Sequence, residues 1–170
     1  MAAKTYTVLN GAVPGAAAAV PIATNSAIRT MLQLQPSANT AIRIVEWWTE
    51  FDGSAAATPI KVELLGHSTA PQTTLTTYAA ADIAPANDPN AAAWDGTLAS
   101  NASGFSSQTT EVTPTGTVRN LSTHFVPPTS GIYIQYPLGR EPEIKVSLYA
   151  RGRVTAGANV NCYIGGTCEC

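Results

Sequence analysis

The chain has 170 residues, which is enough for one domain with a buried core and too few for two full domains. Charged residues make up only 12% of it, about half the ~25% of an average globular protein, while hydrophobic residues make up 45%. The net charge is −2 and the nine Lys and Arg residues are scattered, which argues against direct binding to nucleic-acid phosphates.

No segment is typical of an export signal or a membrane span. Residues 1–6 are polar and strand-like, without the charged and apolar regions of a signal peptide. The apolar run at 16–20 is far shorter than the roughly 20 residues that cross a bilayer. We therefore expect synthesis in a cytoplasm and no membrane partner.

The N-terminal residues 1–27 are predicted to form an arm, or a first edge strand followed by a linker. Tyr6 and Val8 alternate with threonines as in a strand. Prolines at 14 and 21 then discourage both helix and central strand. We expect this segment to contact other subunits, with Val13 and Val20 among its partner contacts.

The remaining residues, 28–170, are predicted to form one β-domain. Apolar and polar residues alternate in several short runs that are separated by Gly, Pro, Asn and Asp. The pattern predicts an all-β, jelly-roll-like antiparallel β-sandwich of about eight strands. The expected strands lie at 28–34, 41–51, 60–64, 73–78, 118–126, 132–136, 144–151 and 160–164, the last of them ending at Gly165-Gly166.

The run at 41–51 holds two adjacent tryptophans, which a strand directs to opposite faces. Val45, Thr49 and Phe51 are expected on the same face of the strand as Trp47. Trp47 is therefore expected in the core, and Trp48 on the outside as a contact for a partner. Glu46 and Glu50 flank Trp48 on its face. Carboxylates beside a tryptophan are found in sugar-binding clefts, although a solvated face or a contact with another chain explains them as well.

Residues 79–104 are predicted to form one long loop. The segment is rich in Pro, Asn and Gly, and a loop of this length in a compact domain is usually functional. Trp94 is its largest apolar residue and is expected to anchor a partner. Asp82, Asp88 and Asp95 are explained by turns, with a calcium site as the alternative.

A second candidate contact lies at 136–143, where prolines and a glycine restrict the backbone between two strands. Arg140 stands next to Glu141, in a chain with few charges. Two interpretations stay open: a local ion pair that fixes the loop, and an intersubunit contact made by both residues.

Catalytic and cofactor motifs are missing from the sequence, so we expect no enzyme activity, no cofactor and no metal. No serine lies in a nucleophile elbow, and no phosphate-binding or zinc-protease motif occurs. His67 and His124 lie in strand-like sequence, where histidine is usually structural. Cys162, Cys168 and Cys170 lack the spacing of a zinc site, and are expected as free thiols with at most one disulfide.

Four segments together resemble small structural proteins of tailed bacteriophages. They are Trp47-Trp48 with Phe51-Asp52-Gly53, the run from Ile60 to Leu65, Pro127-Pro128-Thr129-Ser130-Gly131, and the run from Pro137 to Pro142. The resemblance covers roughly residues 40–164. It implies a β-sandwich on the virion, as a head decoration or cement protein or a minor virion component, and does not identify which surface.

The resulting hypothesis is a decoration protein on the outer capsid surface, which binds the major capsid protein and itself, as a trimer or another cyclic oligomer. Many copies around a shell would add avidity to each interface. Two alternatives remain: a tail or fibre component with a host-glycan-binding face, and a bacterial carbohydrate-binding module or hydrolase fragment.

Overall fold

In the computed structural model, the residues described are 4–10, 21–54, 56–69, 75–77, 83, 86, 103–106 and 116–170, with the backbone alone for 75–77 and 103–106. This part of the chain is all β-structure, as the sequence predicts, and no helix in it is long and apolar enough to cross a membrane. Its twelve strands form two antiparallel sheets.

Sheet A is built on two long central strands. It contains β1 (Thr5–Leu9), β2 (Ile22–Ala23), β4 (Ile42–Phe51), β9 (Gly131–Gln135), β10 (Glu143–Ile144) and β12 (Asn161–Glu169). Strands β12 and β4 pair in the middle, β1 and β2 share the outer edge of β12, and β9 and β10 share that of β4.

Sheet B has six strands in the order β6-β7-β3-β11-β5-β8. They are β3 (Ile28–Leu34), β5 (Ile60–His67), β6 (Leu75–Thr77), β7 (Ser103–Ser106), β8 (Val118–Val126) and β11 (Tyr149–Thr155). Strand β7 begins at Ser103, so the long loop predicted at 79–104 overlaps a strand at its end.

The core lies between the sheets, which makes the architecture a β-sandwich. Both sheets supply its buried side chains, such as Tyr6 and Trp47 from sheet A and Met31 and Val62 from sheet B. The sheets approach closely at Gly152, where an added β-carbon would overlap Ile164 Cδ1 of the facing sheet. Glycine in a strand often marks such a close approach.

Strand β4 contains a β-bulge, which corrects the predicted face of Val45. Cys168 pairs with Ile44 and the preceding Thr167 with Glu46, so Val45 is the extra residue on β4. Ile42 and Ile44 therefore share the core face with Trp47, while Val45 is only partly buried. Regular alternation, on which the prediction rested, fails where one residue is inserted.

Two strand predictions fail at the C-terminal end. Strand β12 continues through Gly165-Gly166 to Glu169 instead of ending there. The run at 144–151, predicted as one strand, is split by a turn in which Leu148 N donates to Lys145 O at 3.0 Å. Ser147 in that turn has φ 67°, and the turn carries the chain from sheet A to sheet B.

Part of the N-terminal segment belongs to sheet A. All five residues of β1 pair with β12, and Tyr6 and Val8 on it are buried. The predicted contacts Val13 and Val20 lie outside the described residues. The same holds for Trp94 and for Asp82, Asp88 and Asp95 in the long loop.

Candidate binding surface on the outer face of sheet A

Three neighbouring strands of sheet A, β12, β4 and β9, bring the candidate residues together. Their register places Trp48 between Gly165 of β12 and Tyr133 of β9. The rows on either side contain Glu46 and Glu50, the neighbours of Trp48 on its own strand. We call the group formed by Glu46, Trp48, Glu50, Tyr133 and Gly165 the aromatic face.

Trp48 lies against the backbone of β12. A β-carbon added to Gly165 would lie 2.7 Å from Trp48 Cζ2 and 2.6 Å from Val8 O, too close for any other residue. At the next position, a β-carbon added to Gly166 would lie 2.9 Å from the backbone oxygen of Glu46 on β4. The glycine pair therefore stays within the strand because Gly165 makes room for Trp48 and Gly166 for the backbone of β4, which the sequence alone did not reveal.

The rings of Trp48 and Tyr133 are neighbours and nearly parallel. Their ring centroids are 6.4 Å apart and the planes differ by 19°. Trp48 is partly buried, while Tyr133 is 60% exposed. Sequence reasoning placed Tyr133 in a strand but not beside Trp48, since that contact depends on the register between distant strands.

The two carboxylates of the aromatic face differ in their contacts. Glu46 accepts hydrogen bonds from Tyr133 Oη and, at 2.6 Å, from Thr167 Oγ1. The hydrogen bond to Glu46 raises the pKa of Tyr133 above its usual value, which keeps the phenol protonated. Glu50 is exposed, and within the described residues its carboxylate makes no hydrogen bond or ion pair.

A shallow depression of about 380 Å³ borders this surface. Its lining includes Trp48, Glu50 and Tyr133 together with the backbone around Gly131. Gly131 is needed there, since a β-carbon on it would lie 2.5 Å from Thr49 O. The depression thus adjoins both rings and the carboxylate that has no partner.

The predicted contact at Arg140 and Glu141 lies in the turn after β9. Glu141 Oε2 accepts a hydrogen bond from Gly139 N at 2.7 Å, and Arg140 N donates to Pro137 O at 2.9 Å. No ion pair joins Arg140 to another described residue, so the local ion pair, one of the two interpretations, is not formed. The carboxylate of Glu141 stabilises the turn through its hydrogen bond from Gly139 N. Leu138 at the tip is 92% exposed.

Neither histidine forms a triad of hydroxyl or thiol, imidazole and carboxylate within the described residues. His124 Nε2 lies 2.7 Å from Ser122 Oγ, and its ring is 6.2 Å from that of Trp47. No described carboxylate forms a hydrogen bond with His124. His67 is buried on β5, and neither of its ring nitrogens has a hydrogen-bond partner in the part of the chain that the structure describes.

No disulfide links the three cysteines, all of which are described, and Cys162 and Cys168 are fully buried. Burial raises the pKa of each of these two thiols to about 12, so both stay protonated. Among the described residues, no group of three His, Cys, Asp or Glu side chains is placed to hold a metal ion.

No family model, no curated protein and no solved structure matches this chain.

Proposed function

We propose that the protein is a virion structural protein of a tailed bacteriophage, which binds the outer surface of the capsid as a decoration or cement protein. The proposal joins two observations. The sequence resembles that class of protein over residues 40–164. The folded chain also exposes large apolar side chains in a composition with few charges.

Strand β8 carries the argument for association with other proteins. It is nine residues long, lies at the end of sheet B, and among the described strands pairs only with β5. Phe125 on it is 71% exposed and Val118 is 46% exposed. An uncovered edge strand offers a row of backbone donors and acceptors to another chain, and exposed apolar groups add to that tendency.

A jelly-roll topology is also part of the proposal. Sheet A has the order β1-β12-β4-β9 across its middle, and sheet B contains β3-β11-β5-β8. Consecutive strands cross between the sheets several times, as in two interleaved Greek keys. The β6-β7 hairpin then extends sheet B beyond β3.

The proposed mechanism is structural and requires no catalytic group. Subunits associate with the major capsid protein, and with one another as a cyclic oligomer, by covering charge-poor surface. Each interface gains from the apolar side chains that it removes from water. Repetition around the shell stabilises the particle through avidity.

The copy number in purified virions tests the proposal. We expect quantitative mass spectrometry to find hundreds of copies per particle, in proportion to the major capsid protein. A few copies per particle would instead indicate a tail or fibre component. Absence from washed virions would contradict both.

A further inference from the structure

We propose that the aromatic face binds a neutral glycan, with a sugar ring stacked on Trp48 and Tyr133 and hydroxyl groups donating to Glu50. This goes beyond a role in the capsid, and it holds wherever the protein lies on the particle. It assigns a ligand class to the one place on the described surface where two near-parallel aromatic rings adjoin a carboxylate without a partner.

The rings supply the apolar half of the site. The C–H groups on one side of a pyranose ring are weakly positive, and they pack on the electron-rich face of an aromatic ring. Trp48 lies against Gly165 on one side, and the plane of the neighbouring Tyr133 ring is only 19° from its own. Two neighbouring, near-parallel rings suit a ring-shaped ligand better than a point charge.

The carboxylates supply the polar half. Glu46 is already committed to Tyr133 and Thr167, so it fixes the orientation of the phenol. Glu50 borders the depression without a hydrogen bond or ion pair to any described residue, and carboxylates are strong acceptors for hydroxyl groups. Few polar groups beside an apolar surface are the usual composition of a small-molecule site.

The charge of the face excludes two ligand classes. Glu46 and Glu50 would repel sialylated or sulfated glycans, and also the phosphates of a nucleic acid whose bases could stack on the rings. A neutral glycan suffers no such repulsion. A cationic ligand is attracted to the same groups, and the experiment below distinguishes it.

The test is an NMR titration of the full ¹⁵N-labelled chain with cellohexaose, maltohexaose and chitohexaose, each in a separate series. We expect saturable shifts of the Trp48 indole and of amides in β4 and β9 with at least one of the sugars. Trp48→Ala should weaken this binding by about tenfold. Glu50→Gln should weaken it by about threefold.

Two further variants keep the result interpretable. Tyr133→Phe retains the ring and loses only the hydrogen bond to Glu46, so it should bind slightly more weakly and report on the site even if Trp48→Ala unfolds. Phe125→Ala removes an exposed aromatic ring from sheet B and should bind like wild type. Thermal melts of each variant verify folding.

Three outcomes would overturn the proposal. The first is that none of the three sugars causes a saturable shift. The second is that folded Trp48→Ala and Glu50→Gln both bind as tightly as wild type. The third is that arginine or tetramethylammonium shifts the same signals saturably while no sugar does, which would assign the face to a cation.

Discussion

Trp47 and Trp48 are adjacent in the chain, but their side chains lie on opposite faces of sheet A and differ in burial. Trp47 is 2% exposed and belongs to the core between the sheets, while Trp48 lies against Gly165 on the outside. The core position of Trp47 confirms what the alternation within its strand predicted.

This difference leads to a ranking of two variants. Trp47→Ala should lower the free energy of unfolding by about 3–5 kcal/mol, because it leaves a large cavity between the sheets. Trp48→Ala should cost clearly less, since much of its indole already faces water or the neighbouring strand. Urea denaturation of both variants measures the two values, and the reverse ranking would show that the strand faces are assigned wrongly.

Residue chemistry alone could not identify the whole aromatic face. Trp48, Glu46 and Glu50 follow from the period of one strand, and the sequence predicted all three on one face. Tyr133 and Gly165 join them only through strand pairing across 85 and 117 positions of the chain, counted from Trp48 as 133 − 48 and 165 − 48. The register between distant strands cannot be inferred from the alternation of residues within one strand.

In strand β4, a single inserted residue changes which side chains face the core. Without the bulge, Ile42 and Ile44 would face away from Trp47, and Val45 would fill the core. With it, Ile44 is 1% exposed and Val45 lies at the point where the ladder shifts.

The bulge makes a prediction about two adjacent aliphatic residues. Ile44→Ala should destabilise the protein by about 2–5 kcal/mol, as truncation in a core does. Val45→Ala should cost about 1 kcal/mol or less, because its side chain is only partly buried. Chemical denaturation of the pair, each the control for the other, provides the measurement. An equal or larger loss for Val45→Ala would contradict the bulged register.

The turn signals are misleading at two places near the C-terminal end. Gly165-Gly166 resembles a strand end, yet both glycines lie within β12, where Gly165 makes room for Trp48 and Gly166 for the backbone of β4. The alternation of apolar and polar residues at 144–151 continues across a turn, because the residues before the turn belong to sheet A and those after it to sheet B. In each case tertiary packing overrides the local pattern.

For the molecule as a whole, acid stability should depend on His67. Its burial, followed by the charges of Arg151 and Arg153, lowers the pKa of this imidazole from 6.5 to about 4. Between those values the unfolded chain binds a proton that the folded chain does not. The stability linked to His67 is therefore complete above pH 6.5 and is lost progressively as the pH falls towards 4.

The expected loss is about 2–3 kcal/mol between pH 7 and pH 4, obtained from urea melts across that range. Carboxylates such as Glu63, which pairs with Arg153 at 2.8 Å, also lose their ion pairs in acid. The His67→Gln variant separates these effects, because it should retain the carboxylate contribution and lose most of the slope between pH 6.5 and 4. A slope identical to that of wild type would contradict a buried, neutral His67.

The proposed function is that of a subunit on the outer surface of a phage capsid. Low-resolution cryo-electron microscopy of purified virions can test this proposal, with particles from a deletion mutant as the reference. We predict additional density of about 17.6 kDa per subunit, repeated on the outside of the capsid lattice of wild-type particles and absent from the mutant. Difference density confined to the tail, or no difference density at all, would contradict the proposed function.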